Sequence, residues 1–245
     1  MISKSKYIQA FFLGKMSYLS AMNLQEKINS LIYLNKLNET ILFLEHDNVF
    51  TYGSKEKISP KEIENLNESN LDFQHIRTNR GGQITLHSPG QLICYPIINL
   101  KNHFNGVLDY VKFLENIIIK TLNFYKIKAH TVQKRRGIWV NGDPNEEFHE
   151  RNNPSGEKIA ALGLKIVRNI TLHGFSLNVN NDLKLFNLFI PCGMPNLRVN
   201  SVSNILGQTT NIKEVAQNLS LSMSEILQIP IEFNSDINKI GVKVD

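Results

Sequence analysis

Cys192 stands in the sequence Ile190, Pro191, Cys192, Gly193, Met194, Pro195, directly after the apolar run 183–190. Pro191 fixes φ and removes a donor, while Gly193 lets the backbone bend and lets a substrate carbonyl come close. That is where a nucleophilic thiol would be placed. A lone cysteine is more often a small buried hydrophobe, and Cys94, inside the apolar run LICYPIINL, reads as core. The second reactive group is Lys158, at the head of KIAALGLKIV. Apolar residues at Ile159, Leu162 and Leu164 cover both faces of that run, which makes it a central strand and its lysine partly desolvated. Beside a thiol, such a charge lowers the thiol pKa. A drop from about 8.5 to about 6.5 raises the thiolate share at pH 7 from roughly 3% to roughly three quarters.

Other groups compete for a role. His87 and His173 each follow an apolar residue and precede a small one, Ser88 or Gly174. Either serves as a base for a thiol or is a hydrogen-bonded strand residue. His149 with Glu146, Glu147 and Glu150 offers metal-ligating types, but in a polar, turn-forming stretch, and no metal is expected. The run RGGQITLHSPGQ, 80–91, sets two adjacent glycines after an arginine and turns sharply at Ser88, Pro89 and Gly90. Such a backbone approaches a ligand closely and lines a slot. Neither GxxxxGK[ST] nor GxGxxG occurs, so the usual phosphate cradles are not supported.

The elements that would position these groups follow from periodicity. Apolar residues at helical spacing predict a helix within 17–37, capped by Ser17, a second over 107–125 and a third over 212–226. Pro60 opens a short helix, 60–66. Strands are predicted at 40–45, 49–52, 73–78, 83–87, 92–98, 127–132, 137–140, 158–167 and 170–179, with a weak strand-like tail. Residues 141–157 form a polar, flexible loop. Strands and helices do not alternate in strict βαβ order, which predicts an α+β fold.

A chain of 245 residues supports one substantial core, and 42% apolar with 20% charged residues is ordinary for a globular domain. No apolar run reaches membrane-spanning length, and IQAFFLG is too short for a signal-peptide core, so a cytoplasmic protein is expected. Two cysteines fit a reducing compartment. The net charge of +5 favours acidic partners. Lys134, Arg135 and Arg136 form its basic run, read either as a docking patch or as a solvated face.

Taken in order, RGGQITLHSPGQLICYP, GIWV, KIAALGLKI followed by ITLHGFSLNVN, and FIPCGM resemble the lipoyl(octanoyl) transferases, also called lipoate-protein ligase B. EHDNVFTYG resembles the family's preceding strand-turn-strand segment, and the resemblance covers about 17–210. It implies a single domain over 1–245 with the fold of biotin and lipoate protein ligases, a mixed, largely antiparallel sheet flanked by helices. It also implies transfer of an octanoyl or lipoyl group from acyl carrier protein, through a cysteine thioester, to a lysine ε-amine. The family's nucleophile falls on Cys192 and its activating lysine on Lys158. Its substrate-lining positions fall on Arg80, Gly81, Gly82, Gln83, Ile84, Thr85, Leu86 and His87, on Ala161, Leu162 and Gly163, and on His173, Gly174, Phe175 and Ser176. The implied partners are octanoyl acyl carrier protein, the lipoyl domains of 2-oxoacid dehydrogenase complexes and the glycine cleavage H protein, met by a monomer. Nucleic acid and membrane are not among them.

The chemistry agrees with that assignment. A thioester exchanges with a thiol at little free-energy cost and remains open to attack by an amine, so neither ATP nor a cofactor is expected. Two departures stand out: Ser88 replaces a glycine of the HGPGQ pattern, and the 141–157 loop is longer than the family's hairpin. Three alternatives remain in this reading. An ATP-dependent lipoate ligase on the same fold would need no nucleophilic cysteine, a cysteine hydrolase would pair Cys192 with His173, and a carrier-binding module would survive loss of the thiol.

Overall fold

Apolar runs rich in Ile, Leu, Val and Phe build β1 (Ile8–Lys15), β2 (Thr40–Glu45), β3 (Val49–Tyr52), β4 (Gln74–Arg77), β5 (Ile84–His87) and β6 (Gln91–Ile97). They continue as β7 (Ala129–Val132), β8 (Arg135–Val140), β9 (Glu157–Val167), β10 (Ile170–Asn178) and β11 (Ile231–Asn234). The computed structural model describes residues 7–54, 56, 73–145, 155–191 and 194–242. An eight-stranded sheet runs β11-β1-β2-β6-β10-β9-β8-β7, and a three-stranded sheet runs β4-β3-β5. In the large sheet the β11, β1 and β2 pairings are parallel and every later one is antiparallel. The fold is therefore α+β with a mixed, largely antiparallel sheet, as the sequence predicts.

Three helices cover this sheet. In α1 (Tyr18–Tyr33) the Ser17 side chain accepts the N–H of Ser20, so the predicted cap is formed. The second, α2 (Val107–Phe124), and the third, α3 (Ile212–Leu227), bury their apolar stripes together on one face, against Phe43, Cys94 and Ile159. The opposite face carries Ile93, Tyr95 and Ile97 under α1. Consecutive residues of β6 thus enter opposite cores, which is why that strand reads as one continuous apolar run. The small sheet closes over its own cluster of Phe50, Tyr52 and Leu86, against which Leu185, Phe186 and Phe189 pack.

Several predicted elements are altered. The segment IQAFFLG, read only as an inadequate signal core, is β1, and the weak tail is β11 beside it. Parallel partners so far apart in sequence carry no local turn signal. Most of the apolar run 183–190 is a 3-10 helix, Leu183–Leu188, resting on the small sheet. The predicted helix 60–66 lies outside the described residues, as does 146–154 of the long loop. Its described ends close a hairpin between β8 and β9: Asn141 Nδ2 donates to Glu157 at 2.7 Å and the Asp143 N–H to Ser155 Oγ at 3.1 Å.

One irregularity in β9 bears directly on the site. Ile138 pairs with Ala160 but Trp139 pairs with Lys158, so Ile159 is an extra residue, a β-bulge. Strict alternation would put Lys158 on the helix-covered face with Ala160 and Leu162. The bulge turns it instead to the face shared by Ala161 and Gly163.

Candidate active site

Between the α1 face of the large sheet and the small sheet lies a cleft with mostly apolar walls, the character of small-molecule sites. β5 brings Ile84, Thr85 and His87 to one wall, and the antiparallel pair β9 and β10 brings 161–163 and 173–176 to the other. Among the sequence-predicted lining positions, Gly81 and Leu86 do not border it. Leu86 faces the core of the small sheet. The Gly81 N–H instead donates to the Leu164 carbonyl at 2.9 Å, which ties the 80–83 loop to β9. Sequence reasoning missed Tyr18, Ile93 and Tyr95, which also line the cleft. The available signal was the alternation along β6, where Ile93 and Tyr95 share a face. The predicted turn at Ser88 forms, with the Gln91 N–H donating to the Ser88 carbonyl at 3.1 Å, so serine at this position still permits the turn.

Most polar groups that line the cleft are engaged with the protein, whereas the buried His173 Nδ1 has no hydrogen-bond partner among the described residues. Arg80 is buried; its Nε and Nη2 donate to Thr51 Oγ1 at 3.1 and 2.8 Å, and its Nη1 to the Gly81 carbonyl at 3.1 Å. His46, behind Tyr95, shares Nδ1 with the Met16 carbonyl at 2.7 Å, a bond in which Nδ1 must be the donor. Its Nε2 therefore accepts from the Tyr95 hydroxyl at 2.9 Å. His87 Nδ1 lies 2.8 Å from Gln91 Oε1, and His173 Nε2 lies 2.8 Å from Asn79 Oδ1. Burial lowers the His87 pKa to about 3, helped by repulsion from His46 and Arg80. His173 is lowered to about 4 by burial, then Arg80, and His46 to about 4 by burial. Imidazoles this weak are poor bases near neutrality.

Lys158 occupies a second cavity that joins the cleft through Thr85, Ala161 and Ser176, which line both. Its side chain is buried and its Nζ sits 5.6 Å from the centre of the Trp139 ring, a cation–π arrangement. The chain that follows Cys192 returns to hold it. The Lys158 N–H donates to the Arg198 carbonyl at 2.9 Å, and the Asn200 N–H donates to the Lys158 carbonyl at 3.0 Å. Cys192 and Gly193 lie outside the described residues. On either side of them, Pro191 lines the Lys158 cavity and Met194 packs on Trp139, and the Met194 N–H donates to the Pro191 carbonyl at 3.0 Å. Neither His87 nor His173 lines this cavity. Cys94 is fully buried on the helix-covered face, and burial pushes its thiol well up.

His149, Glu146, Glu147 and Glu150 lie outside the described residues. Among the described residues no group of three or more His, Cys, Asp or Glu side chains could hold a metal ion. No described helix is long and apolar enough to cross a membrane. The arrangement suits an apolar chain laid in the cleft with its polar, reactive end beside a buried ammonium.

Residues 17–224 match the family described as lipoyl protein ligase A/B catalytic domain. The chain is 32% identical over 228 residues to an octanoyltransferase of Desulforamulus reducens, covering 91% of this chain and 92% of that one. It is 37% identical over 198 residues to an octanoyltransferase of Christiangramia forsetii, covering 78% and 79%. In fold it is similar to a lipoate protein ligase from Thermoplasma acidophilum, with a TM-score of 0.65 at 14% identity, covering 96% of this chain and 90% of that one. At that identity the likeness speaks for the fold alone.

Proposed function

This chain belongs to the lipoyl protein ligase A/B catalytic domain family, and from that premise we propose that it moves an octanoyl group through a Cys192 thioester to a lysine of a lipoyl domain. Octanoyl transfer is the activity its relatives carry by name. The observation that carries the residue-level reading is continuity. The apolar cleft runs through Thr85, Ala161 and Ser176 into the cavity that holds Lys158 and Pro191, next in sequence to Cys192.

In the first half-reaction the Cys192 thiolate attacks the carbonyl of an octanoyl thioester. The new C–S bond forms, the bond to the carrier's thiol breaks, and the carrier leaves as thiolate. Lys158, as ammonium, favours the thiolate that attacks. In the second half the neutral ε-amine of the acceptor lysine attacks the Cys192 thioester, an amide forms, and Lys158 relays the amine's proton to the departing thiolate. Bond energy is conserved from thioester to thioester, so ATP has no part in the sequence. The donor is octanoyl acyl carrier protein; the acceptors are lipoyl domains of 2-oxoacid dehydrogenase complexes and the glycine cleavage H protein, all met in the cytoplasm.

Intact-mass analysis and peptide mapping after incubation with octanoyl carrier protein, without ATP, test this. The expected result is an octanoyl adduct on Cys192 that is discharged by an added lipoyl domain. An adduct confined to Cys94, or transfer that appears only when ATP is supplied with free octanoate, overturns it.

A further inference from the structure

Lys158 reaches its place beside Trp139 across a gap in β8. Alternation along that strand puts Gly137 on the same face as Trp139, while Ile138 and Val140 enter the helix-covered core. A Cβ on Gly137 would stand 2.4 Å from Lys158 Cε, 3.2 Å from its Nζ and 2.7 Å from the Ala160 carbonyl oxygen. The lysine stem therefore occupies the space a side chain at 137 would take. Gly137 also holds φ at +124°, a conformation L side chains rarely adopt. Opposite it, the Ile159 bulge brings Lys158 to this face.

We infer that Gly137 is a positioning residue for Lys158: together with the bulge at Ile159 it forms a slot that fixes where the ammonium lies. The inference rests on the role given to Lys158 above. The bulge chooses the face on which the lysine emerges, the missing side chain opens its path, and the Trp139 ring receives its end. A side chain at 137 would meet both the end of Lys158 and the Ala160 carbonyl, and of the two the flexible lysine end is the one that gives way readily. A misplacement of about 1 Å is enough to cost on the order of 10²-fold in a positioned reaction.

The test uses the full chain and three variants, Gly137→Ala, Lys158→Ala and the double variant. The readouts are the pH profile of Cys192 alkylation by iodoacetamide, octanoyl transfer, and thermal unfolding followed by circular dichroism. Lys158→Ala is expected to move the alkylation midpoint to higher pH. Gly137→Ala is expected to produce most of the same shift while folded, and the double variant to move no further than Lys158→Ala. A folded Gly137→Ala with the wild-type profile, beside a shifted Lys158→Ala, overturns the inference and leaves the role of Lys158 standing. A wild-type profile in Lys158→Ala removes that role itself, and the inference with it. A double variant shifted beyond Lys158→Ala shows Gly137 acting by another route and also overturns it. If Gly137→Ala alone does not fold, removing the lysine stem should restore folding in the double variant. Failure there assigns Gly137 to the backbone only.

Discussion

The two ends of the cleft hold their polar groups in opposite ways. At one end the Lys158 side chain lies buried against an aromatic face, with Arg198 and Asn200 of the segment after Cys192 bonded to its backbone. At the other, His46, His87 and His173 are buried, the last two near Arg80, and their pKa values fall to about 4, 3 and 4. One end sets a basic side chain where, in the proposed reaction, a thiolate and a tetrahedral oxyanion would form. The other keeps its imidazoles neutral, so that in the proposed reaction an apolar acyl tail would lie against groups whose hydrogen bonds are mostly met by the protein. Similar burial thus serves both purposes, and the difference is made by partners: an aromatic face for the ammonium, and carbonyl, amide and hydroxyl groups for the imidazoles.

Removing the charge at the reactive end should have the largest effect. Lys158→Ala is expected to lower octanoyl transfer by about 10²-fold or more, with the chain still folded, as measured by steady-state transfer and circular dichroism. Full activity would erase the contrast between the ends. Next comes the junction, where Ala161 lines both cavities. Ala161→Leu should cost octanoyl transfer roughly 10- to 200-fold and acetyl transfer far less. Equal losses on both thioesters would mean that the chain does not run past Ala161.

The neutral end is tested through pH. A histidine whose folded pKa is lowered binds a proton more readily when unfolded, so its contribution to stability is complete above about 6.5 and is lost as pH falls towards the folded value. For His46, lowered to about 4, the window runs from about 6.5 to about 4. The facing groups are Asp47, the Met16 carbonyl, Tyr95, Tyr18 and His87. Urea unfolding at pH 7 and at pH 5 should show a decline that His46→Gln reduces by on the order of 2 kcal/mol. An unchanged decline in the variant would mean that His46 is not held neutral.

Much of this was legible in the sequence because its signals were local. The α1 cap at Ser17, the amphipathic stripes of α2 and α3, and the strands bounded by Gly, Pro and Asn each depend on neighbours within a few residues. The pairing of β1 with β11 was not legible, since the partners lie at opposite ends of the chain. The face on which Lys158 emerges was hidden for a related reason. Period-two reading assigns it to the helix-covered face, and only the Ile159 bulge, a property of the β8–β9 register, reverses that. His87 and His173 looked alike as bases for a thiol, and only burial and distance from the Lys158 cavity separate them from that task.

The smallest expected effect concerns encounter at the charged end. The basic run divides across β8: Arg136 lies 3.8 Å from Glu115 of α2, whereas alternation puts Arg135 on the face of Gly137 and Trp139, the Lys158 side. Lys134 sits exposed in the preceding turn with φ at +58°. Long-range attraction to an acidic carrier should act through Lys134 and Arg135 and speed encounter more than it tightens the complex. Raising salt from about 50 to about 500 mM shortens the Debye length from roughly 14 to roughly 4 Å. Stopped-flow acylation with octanoyl carrier protein should then slow by roughly tenfold at most, while acylation with a small uncharged octanoyl thioester holds its rate. Lys134→Ala with Arg135→Ala should flatten the salt dependence, and Arg136→Ala should leave it, because that guanidinium serves Glu115, whose carboxyl burial pushes up and Arg136 draws back down. If carrier and small thioester slow together, or if Arg136→Ala flattens the dependence as fully, docking does not lie on the Lys158 side of β8.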